Sequence, residues 1–370
     1  MFIAIHLAYG DVANLYAFAV LIPSGLCIRA ITEPSNHNKR SRETMHISDG
    51  RFGAFAILTG FLAGSLALSS PAWAKTHDVA MTAVETDVVI EGNGEKYAAW
   101  TFNGTMPGPV VRVTEGDTIN FTLTNPATNK NPHAMDFHAA EIDFLKNYRA
   151  VNAGESISFT FVAKKPGIFF YHCGAPPMIQ HIARGMFGAI IVDPKDSKAW
   201  AKADREYVLM QSEFFKNPND VQAMFDRKYD NVLFNGGIFK YHPFVTGGGK
   251  LDAKPGERVR IYFVNAGPNE FSSFHPIGEI WDNVYESGNP TNKLNGIQTY
   301  VVGPGSAATF DVVVESAGAY PLVTHSLTGA LRGAIAVLLV GPDAKPAPLM
   351  PMVPWKLTTP QTEITPVPVQ

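Results

Sequence analysis

Apolar and polar side chains alternate in short runs along most of this chain. Thr118–Thr124 sets Ile119, Phe121 and Leu123 against Thr and Asn, and Ser156–Val162 does the same with Ile157, Phe159 and Phe161. A period of two belongs to a strand with one buried face. Residues 110–113 and 189–192 are further short runs rich in β-branched residues. Pro107-Gly108, Gly116-Asp117 and Pro166-Gly167 punctuate the pattern, as turn residues do. Long helical periodicity is scarce. Many short strands at regular spacing predict an all-β sandwich or barrel.

The pattern then repeats. GDTINFTLTN (116–125) is matched by GERVRIYFVN (256–265), AGESISFTFVAKKPG (153–167) by GPGSAATFDVVVESAG (303–318), and GAIIV (188–192) by GAIAV (333–337). Matches in the same order at near-constant spacing predict two tandem copies of one domain. These are expected at 75–195 and 236–341, with the more polar segment 196–235 as the connection. Residues 342–370 are Pro-rich and read as an extended tail.

The N-terminal region reads differently. Residues 52–68 are uncharged and apolar, Arg51 precedes them, and Ala72-Trp73-Ala74 follows. A charged start, an apolar core and a small-residue cleavage site make an export signal over 45–74, cleaved after Ala74, which places the mature protein in the periplasm. A membrane anchor is the alternative, but a span needs roughly 20 apolar residues and this run is shorter. Residues 1–44, with Lys39, Arg40 and Arg42, fit poorly ahead of such a signal. They read as an upstream extension or a gene-model artefact, an additional membrane segment being the alternative.

Composition narrows the function. The chain has 370 residues, 17% charged and 46% hydrophobic, with a formal net charge of −3 and no basic run. That excludes a nucleic-acid partner, which requires a clustered positive footprint. The two cysteines, Cys27 and Cys173, are too few and too distant for a disulfide framework. With the leader removed, Cys173 is the sole thiol, and its neighbours decide its role.

Those neighbours are His133, His181 and Met186. Two imidazoles, a thiolate and a thioether form the ligand set of a blue-copper electron-transfer centre. Cys173, His181 and Met186 sit between two apolar strands, on a loop able to wrap one ion. Singly, a Met is core filler and a His a structural residue. Jointly, bracketing the only mature thiol, they favour a metal. Strand alternation predicts a second group. His172 and Cys173 are adjacent and so face opposite sides; His133 and His138 are separated by an odd offset; Asp136 and His138 share a face. One face therefore presents His133 and Cys173, and the other Asp136, His138 and His172. In the second repeat, VTHSLTGALRGA aligns with YHCGAPPMIQHIARGM. It keeps a histidine, His325, but has Ser326 where the first repeat has its cysteine. His275, in SSFHPIGEI, is a further candidate.

NPHAMDFHAA, YHCGAPPMIQHIARGM, FHPIG and VTHSLTGALRGA together resemble the motif set of the copper nitrite reductases, over roughly residues 95–340. The resemblance implies two tandem cupredoxin-like Greek-key β-sandwich domains and a homotrimer. It implies one type 1 copper per subunit, held by His133, Cys173, His181 and Met186. A type 2 copper would be held by His138, His172 and His325, with His325 coming from a neighbouring subunit. Asp136 and His275 would be the acid residues beside it, and Ile277 the apolar residue over nitrite. The implied partners are nitrite and a periplasmic electron donor, a cupredoxin or c-type cytochrome. Nitrite reduction to nitric oxide takes one electron and two protons, and the His172–Cys173 peptide link offers a covalent route between the coppers. Two departures stand out. The stretch between domains is shorter than in the best-known members, and EIDFLKNYRA (141–150) replaces a Gly-rich loop, bringing Phe144, Leu145 and Tyr148 towards the copper entrance. A laccase-like multicopper oxidase would require many histidines in His-x-His pairs, which this chain lacks. A copper electron carrier would leave the second group without a purpose.

Overall fold

The computed structural model describes residues 74–245 and 248–342, together with the backbone of three strands nearer the N-terminus. Those three, β1 (Ile3–Leu7), β2 (Leu15–Ile22) and β3 (Gly25–Thr32), form an antiparallel sheet in that order within a separate unit. The expected export signal, apart from Ala74, and the tail beyond Pro342 lie outside the described residues.

The first repeat builds two four-stranded sheets. β4 (Thr76–Val89), β5 (Lys96–Phe102), β6 (Val111–Thr114), β7 (Thr118–Thr124) and β8 (Asp136–Phe137) come first. Helix α1 (Phe144–Asn147), β9 (Ser156–Val162), β10 (Gly167–His172), α2 (Met178–Ala183) and β11 (Phe187–Asp193) complete it. The sheet orders are β5-β4-β7-β9 and β6-β11-β10-β8. The alternating residues Ile119, Phe121, Leu123, Ile157, Phe159 and Phe161 are all buried in the core between them, as period-two strands facing one core require.

The second repeat continues with β12 (Arg205–Phe214), α3 (Val221–Phe225), β13 (Asn231–Phe234), β14 (Leu251–Ala253), β15 (Arg258–Gly267) and β16 (Ser272–Pro276). It ends with β17 (Trp281–Glu286), β18 (Lys293–Ile297), β19 (Tyr300–Val302), β20 (Ser306–Val313), β21 (Gly318–Thr324), α4 (Leu327–Leu331) and β22 (Ile335–Val340). Its sheets run β13-β12-β15-β20-β17-β18 and β14-β22-β21-β16-β19. The strand orders of the first half recur in the second, which adds β17, β18 and β19 at its sheet edges. β4-β7-β9 corresponds to β12-β15-β20, with the first pair parallel in each half, and β6-β11-β10-β8 corresponds to β14-β22-β21-β16, again with the first pair parallel. The chain is two tandem cupredoxin-like β-sandwiches.

One segment departs from its sequence reading. Residues 196–235, expected to be a connection, carry β12 and β13 of the second half's larger sheet. The reason is double coverage. Leu209 faces the second core while Met210 faces the seam between the halves. A strand buried on both sides shows no alternation, and here Gln211, Ser212 and Glu213 are themselves buried, Gln211 and Glu213 bonded to Ser272 and Asn269, so the segment reads as polar. The same seam takes Phe170, Phe187, Ala189 and Ile191 from β10 and β11 against Tyr262 and Val264 of β15. Burying each such large side chain is worth about 1.5–3 kcal/mol, so the seam fixes the two halves firmly against each other. It also positions the candidate site, since β10 ends at His172.

Candidate metal centres

His133, Cys173 and His181 converge, their ligand atoms lying within 4.8 Å of one another, and all three are buried. The Cys173 sulfur is 3.2 Å from His181 Nδ1 and accepts a hydrogen bond of 3.2 Å from the Ala134 amide. His133 reaches the group from an isolated bridge to Val151. Its Nε2 lies 3.1 Å from Glu85 Oε1. Against an ionised carboxylate that nitrogen must carry the proton, which leaves Nδ1 a bare lone pair. Nδ1 is buried with no partner, and an unsatisfied buried acceptor costs about 1–3 kcal/mol. A metal ion would satisfy it.

The segment expected as a plain loop contains α2, which carries His181 in its last turn. Met186 follows, fully buried; its amide donates to the His181 carbonyl at 3.1 Å and its carbonyl accepts from the Cys173 amide at 3.0 Å. Burial pushes the Cys173 thiol up to about 11. Burial, then the charges of His133 and Arg184, brings His181 down to about 3. Two neutral imidazoles and a thiol that ionises only beside a cation are what a soft-to-borderline metal such as copper selects.

The second group is Asp136, His138 and His172, again within 4.8 Å. His138 Nε2 and His172 Nε2 face each other at 3.2 Å. His172 Nδ1 lies 3.0 Å from the Cys173 carbonyl and donates to it, so its Nε2 is a lone pair. His138 donates its own proton to the Gly305 backbone, which leaves its Nε2 a second lone pair facing the first, and an added proton between them would be one answer. Burial lowers the proton affinity of both, however, with the charge of His172 adding to the effect on His138. A multivalent cation answers the same need without protonating either ring. Asp136 Oδ2 stands 3.7 Å from His172 Nε2, too far for a hydrogen bond to the ring and close enough to reach a ligand on the ion.

β10 realises the expected alternation. Tyr171 and Cys173 lie in the first core, while Phe170 and His172 turn the other way and stack at 4.9 Å. Between His133 and His138 the chain is not a regular strand: Ala134 and Met135 are consecutive core residues, and β8 spans only Asp136–Phe137. The two histidines still face different groups.

The remaining predicted residues sit on the second half. His275 of β16 pairs in register with Val323 of β21, and the His325 amide donates to Ser273 at 2.7 Å. The two rings lie with centroids 5.6 Å apart. His275 Nδ1 is held by the Gln298 carbonyl at 2.6 Å and Thr299 Oγ1 at 3.2 Å. His325 is exposed and Ile277 is 43% exposed. Within one chain His325 does not join either group. Around it Phe271, Val301, Leu327 and Leu331 are each more than half exposed.

In the replaced loop, α1 leaves Phe144 and Leu145 in solvent. Tyr148 turns inward: its hydroxyl donates to the Phe137 carbonyl at 3.0 Å and accepts from the Phe137 amide at 3.3 Å. Sequence reasoning missed Glu85 and also Trp100, whose ring lies 4.6 Å from His181 and 5.7 Å from His133, with the Arg184 guanidinium 3.9 Å from its centroid. Nothing in spacing marks them, since both come from β4 and β5, remote in sequence from the ligands. A single tryptophan in KYAAWTF was the available signal.

A multicopper oxidase family model matches residues 83–197. A copper-containing nitrite reductase of Neisseria meningitidis is 37% identical over 273 residues, covering 71% of this chain and 68% of the relative. Among solved structures, a copper nitrite reductase from Nitrosomonas europaea is 57% identical with a TM-score of 0.71, covering 73% of this chain and 95% of that one. A copper-containing nitrite reductase from Thermus scotoductus is 32% identical with a TM-score of 0.65, covering 74% and 64%.

Proposed function

This chain belongs to the copper-containing nitrite reductases, and from that premise we propose that it reduces nitrite to nitric oxide in the periplasm, with a group of ligands for each of two coppers. The observation that carries this reading is the pair of groups joined at adjacent residues, Cys173 in one and His172 in the other. His133, Cys173, His181 and Met186 would hold a type 1 copper. His138 and His172, with His325 of a second copy, would hold a type 2 copper. When bound, copper supplies a one-electron acceptor at the first group and an open Lewis-acid position for nitrite at the second.

The protein's own groups do the rest. Glu85 orients His133, and the Cys173 carbonyl orients His172. Asp136, 3.7 Å from His172 Nε2, would hydrogen-bond a nitrite oxygen and pass it a proton. His275 is anchored through Nδ1, which leaves Nε2 for a second proton relay. Nitrite, one electron and two protons give nitric oxide and water, so two proton-handling residues match the stoichiometry. Ile277 would form the apolar roof over nitrite.

The exposure of His325 and its apolar rim supports assembly with further copies of the chain as a homotrimer. The electron would come from a periplasmic cupredoxin or c-type cytochrome. The periplasmic assignment rests on residues 45–74 of the sequence. An oxygen-reducing multicopper site is less well supported: among the described residues only two candidate groups occur, and neither contains a His-x-His pair. A pure electron carrier would need the first group alone.

Purified, copper-loaded protein with an artificial reductant tests the reading. Nitric oxide released in proportion to added nitrite, with two coppers per subunit, is expected. One copper per subunit and no nitric oxide would make it a carrier, and four coppers with oxygen uptake an oxidase.

A further inference from the structure

Glu85 of β4 and Trp100 of β5 are direct partners in the antiparallel ladder, so their side chains share a face. Both point at the first metal group: Glu85 meets His133, and Trp100 lies against His181. Glu85 is unusually fixed. Its Oε1 accepts from the Asn131 amide at 2.9 Å, the Asn131 side chain at 3.0 Å, the Lys130 amide at 3.1 Å and His133 Nε2 at 3.1 Å. Four donors converge on this one oxygen, the arrangement of an ionised, acceptor-only carboxylate. A negative charge therefore stands directly behind the imidazole whose other nitrogen is bare. Arg184 lies over the Trp100 ring at 3.9 Å and donates to the Ala98 carbonyl at 2.7 Å, a fixed positive charge near the same group.

We infer that Glu85 is a positioning residue for the electron-accepting copper: it locks His133 in the tautomer that presents Nδ1, and its charge holds the reduction potential of that copper down. The inference rests on the assignment of the first group above. A carboxylate behind a ligating imidazole makes the ring more electron-donating. That stabilises the more highly charged oxidised metal over the reduced one. Arg184 opposes it. Its hydrogen bonds go to Ala98 and Asn219 and not to a ligating ring, whereas Glu85 meets His133 directly, so Glu85 has the larger effect.

Two variants separate charge from position. Glu85→Gln keeps an oxygen for the His133 N–H but removes the charge. It should keep the thiolate–copper visible band and raise the midpoint potential enough to shift the oxidised-to-reduced ratio about tenfold at fixed potential, ~59 mV for one electron. Glu85→Leu removes the acceptor as well and should also weaken copper binding, by about 10–100-fold. In metal-free protein, nitrogen NMR should find the His133 proton on Nε2 in the wild type and Glu85→Gln but not in Glu85→Leu. An unchanged or lower potential in Glu85→Gln, with the visible band present, would overturn this inference alone. A wild type without any thiolate–copper band would overturn it together with the assignment beneath it.

Discussion

At Asp136, proton handling can be separated from metal binding, because two imidazoles beside it already supply lone pairs to the second group. Asp136→Asn keeps the shape and the hydrogen-bonding reach but cannot release and regain a proton. Copper content should be unchanged, and turnover with excess artificial reductant should fall by about 10²–10⁴, the usual worth of general acid catalysis. Turnover near that of the wild type, with both coppers present, would move the role to His275. The buried ligands also set a pH window for the metal-free protein. His181 ordinarily titrates at 6.5 and in the fold only at about 3. Below 6.5 the unfolded chain therefore takes up a proton that the folded one refuses, and stability falls as the pH drops from about 6.5 towards about 3. Cys173 ordinarily loses its proton at 9.0 and in the fold at about 11. Above 9 the unfolded chain is the one that ionises, and stability falls again as pH rises towards about 11. Urea midpoints of the metal-free protein should peak between these limits. In the copper-loaded protein the alkaline decline should vanish, because the thiolate is already formed in the folded state. A midpoint of the metal-free protein that stays flat from about pH 5 to about pH 10 would contradict the burial of both residues.

Among the elements, β10 carries the most information, because its two faces serve two different groups. Tyr171 is the steric key. It sits over Gly188 of β11, where an added Cβ would meet the ring at 2.2 Å, and its hydroxyl donates to the Pro109 carbonyl at 2.6 Å. Gly188→Ala must push Tyr171 aside, and its chain neighbours His172 and Cys173 with it. Overpacking of this kind costs about 1–3 kcal/mol, so a lowered melting temperature and a shifted visible band are expected together. A full-stability variant with an unaltered band would show that Tyr171 does not support the ligands. How far such elements could be read from sequence depended on how many sides were covered. β7 and β9 bury one face, and their alternation is plain in TINFTLT and SISFTFV. β12 is covered on both faces, so its register could not be seen and the segment resembled a linker. The parity of His172 and Cys173 was legible because β10 is a regular strand. The same parity for His133 and His138 was reached through a stretch that is not one. Glu85 and Trp100 escaped notice because, although they pair with each other in a local hairpin, they meet His133 and His181 only through tertiary contacts between residues far apart in sequence, which no local pattern encodes.

At the scale of the assembly, we propose that the catalytic group is completed between copies of the chain. His138 and His172 converge on one half, while His325 stands exposed on the other with His275 and an apolar rim beside it. The repeat made this partly legible: Ser326 replaces the cysteine after His325, so the second half retains an imidazole without a metal group of its own. The proposed donor of a third ligand, a second copy of the chain, is a property of assembly, which no pattern within one chain encodes. His325→Ala should lose one copper per subunit and keep the coloured one, and His172→Ala should do the same. Neither should reduce nitrite alone. The decisive measurement is nitrite-dependent nitric oxide release by the two variants assembled together. In a mixed trimer, some sites combine His172 from one copy with His325 from the other, roughly a quarter of all sites at equal mixing. Activity should return to about that fraction of the wild type, with copper content rising in step. If the co-assembled mixture stays as inactive as either variant, each site is built within a single chain and the shared-site account is wrong.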